Sequence, residues 1–258
     1  MDSSVIIGYG VIGRAVAEAF GVKKYYSRSD ANITLEEAAK LRYIFICLPT
    51  PTINGQCYTQ DIYETVKTLI ANKGEEDSVI IIRSTVPPGF NKSLQDEFGV
   101  NNIISNPEFI SNDTAVEDMK NPDLIVVGGE KQKYIEMVVA LYKGRFKYIE
   151  PVVTDTVTAE FIKYALNMFF VTKLVYANQL NDAAIELGAN YQVARKVLET
   201  HKWGSKNHFQ TFHKNGRGAG GKCLKKDLEA FGNLAIKQDL FYYLEEINNK
   251  YLEASKKI

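Results

Sequence analysis

Charge of one sign is not in surplus here. The 31 lysines and arginines are balanced by 31 aspartates and glutamates across 258 residues. A neutral chain has no field to draw in nucleic acid or an anionic membrane, so neither is expected as its main partner. Long hydrophobic runs are also missing. No apolar stretch approaches the ~18 residues of a membrane span. Met1-Asp2-Ser3-Ser4 opens without the basic and apolar segments of a secretory leader. Cysteine is scarce: Cys47, Cys57 and Cys223 are odd in number and far apart, which fits neither a disulfide framework nor zinc spacing. His201, His208 and His213 match no ligand pattern, and no metal is expected. What remains is a reduced, cytoplasmic, globular chain. Its 45% hydrophobic content allows a sizeable core and two domains.

The first chemistry-bearing motif lies at the start. Val5-Ile6-Ile7 reads as a short strand, Gly8-Tyr9-Gly10-Val11-Ile12-Gly13 as a turn, and Arg14 to Phe20 as a helix. Strand, G-x-G-x-x-G and helix together form a dinucleotide fingerprint. The first two glycines allow a tight turn and close approach of a pyrophosphate, and Gly13 lets helix and strand pack. Lys23 to Ser27 is the second strand, whose end should carry an acid for the adenine ribose. Asp30 stands at about that distance and favours NAD, while Arg28 is the alternative, suited to the 2′-phosphate of NADP.

Tyr43 to Leu48, Ser78 to Arg83, Asn102 to Ser105 and Leu124 to Val127 read as further buried strands. Helical patterns fall between them, at Asp61 to Asn72 and Gln132 to Tyr142. Such alternation predicts a parallel sheet covered on both faces. Ligands of these sheets bind beyond the carboxyl ends of the strands, where Thr50, Thr85 and Glu108 fall.

After Pro151 the pattern changes to long helices, so the expected domains are 1–151 and 152–258. A helix capped by Asp155 or Thr156 is expected to run to about Gly188, with an apolar stripe including Phe161, Ala165, Phe169 and Val175. Glu160, Lys163 and Asn167 share one of its faces, and taken alone this is a solvated polar stripe. A shorter helix, Gln192 to Glu199, precedes the loop Gly216-Arg217-Gly218-Ala219-Gly220-Gly221-Lys222-Cys223, and a charged amphipathic helix, Leu240 to Lys256, closes the chain. The glycines of that loop permit close backbone approach, and a thiol beside lysines near a helix start is a candidate nucleophile.

Taken in order, several blocks make the sequence resemble the UDP-glucose/GDP-mannose dehydrogenase family. They are Gly8 to Gly13, Leu48-Pro49-Thr50-Pro51, Ser84-Thr85-Val86-Pro87-Pro88-Gly89, Asn106-Pro107-Glu108-Phe109, Ala115-Val116-Glu117-Asp118, Ala159 to Asn167 and Gly218 to Asp227. The resemblance implies a Rossmann-type doubly wound parallel sheet followed by an all-helical domain with a long central helix, which forms a homodimer. It implies oxidation of the primary alcohol of a nucleotide sugar to a carboxylate with two NAD. By the same resemblance Cys223 is the nucleophile of a thiohemiacetal and thioester, and Lys163 and Asn167 stabilise charge on the sugar oxygen. Asp227 assists proton removal through a water, while Thr85 and Glu108 position the hydrolytic water. The cofactor would meet Gly8, Gly10, Val11, Ile12, Gly13, Asp30, Pro49, Thr50, Thr85 and Lys226. The sugar nucleotide would meet Phe212, Lys214 and Gly220.

The sequence departs from the family in Ile110-Ser111-Asn112-Asp113, which stand for Leu-Arg-Glu-Gly, and in Ala219, which stands for a phenylalanine of the sugar site. Compared with the family, a carboxyl-terminal domain that forms a wall of that site is expected to be missing. Ordinary dinucleotide binding with weak sugar-nucleotide binding is therefore expected. Two other readings stand beside this one: a short hydroxyacid-type dehydrogenase on the same architecture, and a catalytically silent dinucleotide-binding protein.

Overall fold

The computed structural model of the protein describes residues 3–74, 77–201, 216–219, 224–232 and 239–255. In chain order come β1 (Ser4–Ile7), α1 (Val11–Phe20), β2 (Lys24–Tyr26), α2 (Leu35–Ala38), β3 (Tyr43–Ile46), β4 (Thr52–Ile53), β5 (Gln56–Cys57) and α3 (Gln60–Ala71). Next are β6 (Val79–Ile82), α4 (Phe90–Phe98), β7 (Ile103–Ser105), α5 (Ala115–Lys120), β8 (Val126–Gly128), α6 (Gln132–Arg145) and β9 (Val152–Thr154). Then follow α7 (Thr156–Glu186), α8 (Tyr191–Thr200), α9 (Leu224–Gly232) and α10 (Asp239–Ser255). The contacts divide the chain into one unit of Met1–Pro51 with Tyr58–Lys163 and another of Thr52–Cys57 with Tyr164–Ile258.

The first unit is the expected doubly wound sheet, in strand order β2-β1-β3-β6-β7-β8-β9. Its central strands are apolar apart from Ser4 at the start of β1 and Ser105 at the end of β7, because both faces are covered. In register, Ile6, Phe45, Ile81 and Ile104 form one row across β1, β3, β6 and β7. This row packs against Val16 and Phe20 of α1 and Val138 and Tyr142 of α6. The alternate positions Ile7, Ile46 and Ile82 face Ile62 and Val66 of α3 and Leu94 of α4. Each of these sheet residues is at most 1% exposed, and burying such a side chain stabilises the fold by roughly 1.5–3 kcal/mol.

The sheet is not parallel throughout. Strands β2, β1, β3, β6 and β7 are parallel, but β8 runs antiparallel to β7 and β9 runs parallel to β8. The connection after β7 therefore begins and ends at the same edge of the sheet. Within it α5 lies on α1 through Ala115 and Met119 and the Lys120–Glu18 ion pair at 2.6 Å. Strand β9 lies just beyond the change of pattern after Pro151 and leads straight into α7. There the Asp155 carboxylate accepts from the Thr158 amide at 2.8 Å and from its hydroxyl at 2.6 Å, which holds its pKa below the usual range.

The second unit packs Tyr164, Met168, Val171 and Val175 of α7 against Leu228 and Ala230 of α9 and Leu244 of α10. It also contains the hairpin β4–β5, which belongs to a stretch read from sequence only as the end of a strand. Asn54 at φ 51° and Gly55 at φ 74° form its turn, the left-handed pair that a two-residue hairpin requires. The apolar stripe expected on α7 is mostly solvent-facing: Phe161 and Phe169 are 49% and 55% exposed, whereas Val175 is buried. Among the described residues, no helix is long and apolar enough to cross a membrane.

Candidate functional site

The carboxyl ends of β1, β3, β6 and β7 carry the residues singled out in the first unit. After β1, Gly8 has φ 94°, and a Cβ there would lie 2.6 Å from the Cys47 carbonyl oxygen. A Cβ on Gly13 would lie 2.1 Å from the Gly8 carbonyl and 3.0 Å from Ile6, so α1 rests directly on β1. Gly10 is different: nothing stands within 4 Å of the place a side chain would take. It is the N-cap of α1, a helix with no capping side chain and no acid in its first turn. The opening amides of α1 have no partner within the helix, and with Val11 and Ile12 they face a cradle that a Cβ would fill. These residues fit the pyrophosphate of a dinucleotide.

At the end of β2, Asp30 accepts from the Tyr25 hydroxyl at 2.9 Å, and Tyr25 stacks on Tyr9 with ring centroids 4.0 Å apart. Arg28 is directed elsewhere, to Asp61 at 2.5 Å. After β3, Pro49 precedes Thr50, whose hydroxyl donates to the Thr85 carbonyl at 2.7 Å. Thr85 follows β6. Cys47, beneath this loop, has its thiol pushed up to about 12 by burial, so it stays protonated and unreactive.

Glu108 follows β7. Its carboxylate pairs with the Lys163 ammonium at 3.0 Å and accepts from the Ile110 amide at 2.9 Å. Lys163 is itself only 7% exposed. Glu160, one turn earlier on α7, is 3% exposed. Its carboxylate accepts from the backbone amides of Gly89 at 2.5 Å and Asn91 at 3.0 Å. Burial, only partly offset by those amides, raises its pKa to about 7.

In the second unit, Asn167 on α7 and Asp227 on α9 are 5% and 1% exposed. The Asn167 amide donates to one oxygen of the Asp227 carboxylate, and Lys226 pairs with the other at 2.5 Å. The backbone carbonyl of Lys226 accepts from the Thr52 hydroxyl of the hairpin at 2.9 Å. The start of the glycine-rich loop is clamped: Asn248, fully buried, accepts from the Ala219 amide at 2.6 Å and donates to its carbonyl at 3.3 Å. Arg217 reaches Asp182 at 2.5 Å and Asn178 at 2.9 Å. Cys223, Gly220, Phe212 and Lys214 lie outside the described residues.

The expectation of a solvated stripe on α7 is therefore overturned. Glu160, Lys163 and Asn167 are all buried, because each meets a specific partner that offsets part of its desolvation. Their shared spacing was legible, but their partners, 55 to 71 residues away in sequence, were not. Asn248 and Arg217 carried no sequence signal as anchors. The hairpin did carry one, the Asn54-Gly55 dipeptide.

Comparison with known proteins matches two consecutive stretches of the chain. Residues 5–146 match the NAD binding domain of the UDP-glucose/GDP-mannose dehydrogenase family, and residues 157–250 match its central domain. The chain is 34% identical over 211 residues to a UDP-glucose 6-dehydrogenase of Rickettsia conorii, covering 79% of this chain and 47% of that protein. It is 34% identical over 212 residues to that of Rickettsia felis, covering 79% and 46%. It thus spans less than half the length of these relatives. The structure of a UDP-glucose dehydrogenase from Pyrobaculum islandicum superposes with a TM-score of 0.81 at 23% identity, covering 98% of this chain and 68% of that one, which shows a common fold. With the NAD binding and central domains matched in order, the chain belongs to the UDP-glucose/GDP-mannose dehydrogenase family.

Proposed function

We propose that the chain acts in the cytoplasm as an NAD-dependent nucleotide-sugar 6-dehydrogenase of the UDP-glucose to UDP-glucuronate type. When bound, NAD supplies the two-electron acceptor for each of two oxidations. In the first, the Lys163 ammonium and the Asn167 amide stabilise negative charge on the sugar's primary oxygen, and Asp227 removes its proton through a water. An aldehyde has no second hydride to give until a nucleophile adds to it. The Cys223 thiolate bonds to the aldehyde carbon, and Lys163 and Asn167 hold the resulting oxyanion of the thiohemiacetal. The second oxidation leaves a thioester. A water placed by Thr85 and Glu108 then adds to the thioester carbon, freeing the carboxylate and the thiol. Phe212, Lys214 and Gly220 are assigned to the sugar nucleotide.

The observation that carries this reading is the Asn167–Asp227 contact, in which two groups 60 residues apart are both buried and joined. Burying an amide and a carboxylate together gives little stability, so a chemical role accounts for them better. A second copy of the chain is proposed as partner, through the exposed face of α7. The test is NADH formation with a panel of UDP- and GDP-sugars, with the acid product measured alongside. Two NADH should form per acid, and Cys223→Ala should make no acid. Lys163→Ala should slow the first oxidation by ~10²-fold or more. Normal acid formation by Cys223→Ala would exclude the thioester route, whereas one NADH per turnover with no acid from the wild type would favour a hydroxyacid-type dehydrogenase.

A further inference from the structure

We infer that Glu160 is a positioning residue, which ties the loop carrying Thr85 to the strand that leads to Glu108 and so sets the geometry in which both act. The inference rests on the dehydrogenase reading for what Thr85 and Glu108 do, but not for how they are held. The loop of residues 84–89 joins β6 to α4. At its near end the Ser84 hydroxyl donates to the Leu48 carbonyl at 2.7 Å, and the Thr85 carbonyl accepts from Thr50 at 2.7 Å. Its far end is Gly89, the N-cap of α4, in a left-handed conformation at φ 95°. Helix α4 has no capping side chain of its own and no acid in its first turn, so its first amides need an acceptor from elsewhere.

Glu160 supplies that acceptor from α7. Its Oε2 accepts from the Gly89 amide at 2.5 Å, and its Oε1 from the Asn91 amide at 3.0 Å. The same Oε1 accepts from the Ser105 hydroxyl at 3.3 Å. Ser105 is the last residue of β7, three positions before Glu108. The Asn91 side-chain amide closes the ring by donating to the Ser105 hydroxyl at 2.7 Å. A capping side chain at position 89 itself is disfavoured, because Gly89 sits in the left-handed region at φ 95° and side-chain caps use extended backbone. A buried carboxylate brought in from α7 does something a local cap does not: it joins the loop, α4 and β7 at one point. Lys163, one turn along α7, holds Glu108 itself at 3.0 Å. Ser84, Thr85, Asn91, Ser105, Glu160 and Lys163 line one small cavity, so the holding group and the held ones meet the same space.

Glu160→Gln keeps the volume, removes the charge and turns an N–H donor toward a backbone amide. Amide exchange at residues 84–91 should then quicken by at least ~10-fold relative to wild type. With the nucleotide sugar that turns over, kcat should fall by at least ~10-fold with KM little changed, and Glu160→Asp, which keeps the carboxylate, should recover part of it. In a Thr85→Ala background the same Glu160→Gln change should lower kcat by less than ~2-fold, because the loop has lost the group it places. Full additivity with Thr85→Ala, or unaltered exchange at residues 84–91, overturns the inference. Should Glu160→Gln fail to fold, Ser105→Ala removes one partner of the carboxylate and carries the same comparisons. If the wild-type protein makes no NADH from any nucleotide sugar, the dehydrogenase reading fails, and the exchange measurement still decides whether Glu160 holds the loop.

Discussion

At the scale of single residues, burial and partner decide what a polar side chain does, and neither is written in its identity. The distance to the glycines marks Asp30 as a candidate for the ribose acid, with Arg28 as the alternative. In the structure Arg28 is paired with Asp61, while Asp30 accepts from Tyr25, and these partners motivate a prediction for Asp30. One charge-assisted hydrogen bond corresponds to roughly tenfold to a hundredfold in affinity. NAD should bind tighter than NADP by about that factor, and Asp30→Ala should erase most of the difference in a fluorescence titration of both cofactors. Tighter NADP binding by the wild type would mean that Arg28 reads the ribose. Glu160 permits a second prediction. Its folded pKa, about 7, lies above the ordinary glutamate value of 4.5, so the folded state binds the proton more tightly than the unfolded chain. Its contribution to stability is therefore fully present below about pH 4.5 and is lost as pH rises through about 7, a change on the order of 3 kcal/mol. Asp155 adds to the upward shift. Urea unfolding at pH 5 and pH 8 should show this decline in wild type but not in Glu160→Gln, and parallel profiles would refute it.

At the scale of elements, local pattern was enough wherever the structure is locally determined. Continuous apolar runs marked β1, β3 and β6, because a strand covered on both faces has no polar position to lose. The reversed direction of β8 was not legible, since it goes with a connection that begins and ends at the same edge of the sheet rather than crossing it. Helix α7 was legible in length but not in orientation. Phe161, Ala165 and Phe169 form a stripe that suggests a core face, yet the opposite face carries both the apolar core of the second unit and the buried Glu160, Lys163 and Asn167. Periodicity locates a stripe and cannot say which stripe faces solvent when both are partly apolar. The hairpin β4–β5 allows a sharp test of local determination. Gly55 has φ 74°, where a side chain costs about 1 kcal/mol. Gly55→Ala should lower unfolding stability by about that amount, whereas Gly55→Asn, which tolerates the left-handed region, should lower it less. Equal stability of both variants with wild type would show that the turn is not held in this conformation.

At the scale of the whole molecule, the solvent-facing side of α7 carries an aligned aromatic stripe. Ala165, Phe169 and Tyr176 fall within about 40° of arc on a helix of 3.6 residues per turn, and Phe169 and Tyr176 are 55% and 50% exposed. On α8, Val193 and Val197 are 61% and 59% exposed, one turn apart. Single exposed apolar residues are ordinary, but an aligned aromatic stripe on a long helix marks an interaction surface. A long helix is also suited to pack against its own copy, because a two-fold axis lets one stripe serve as both surfaces. The chain's formal charge of zero puts no long-range repulsion between two copies. Sedimentation velocity should therefore show a dimer at micromolar concentration. Phe169→Lys with Tyr176→Lys should shift the protein to monomer while leaving the circular dichroism spectrum unchanged, since neither side chain contributes to the buried cores. A wild-type protein that stays monomeric at that concentration would rule out the α7 interface for this chain. A dimer that survives both lysines would place the interface elsewhere.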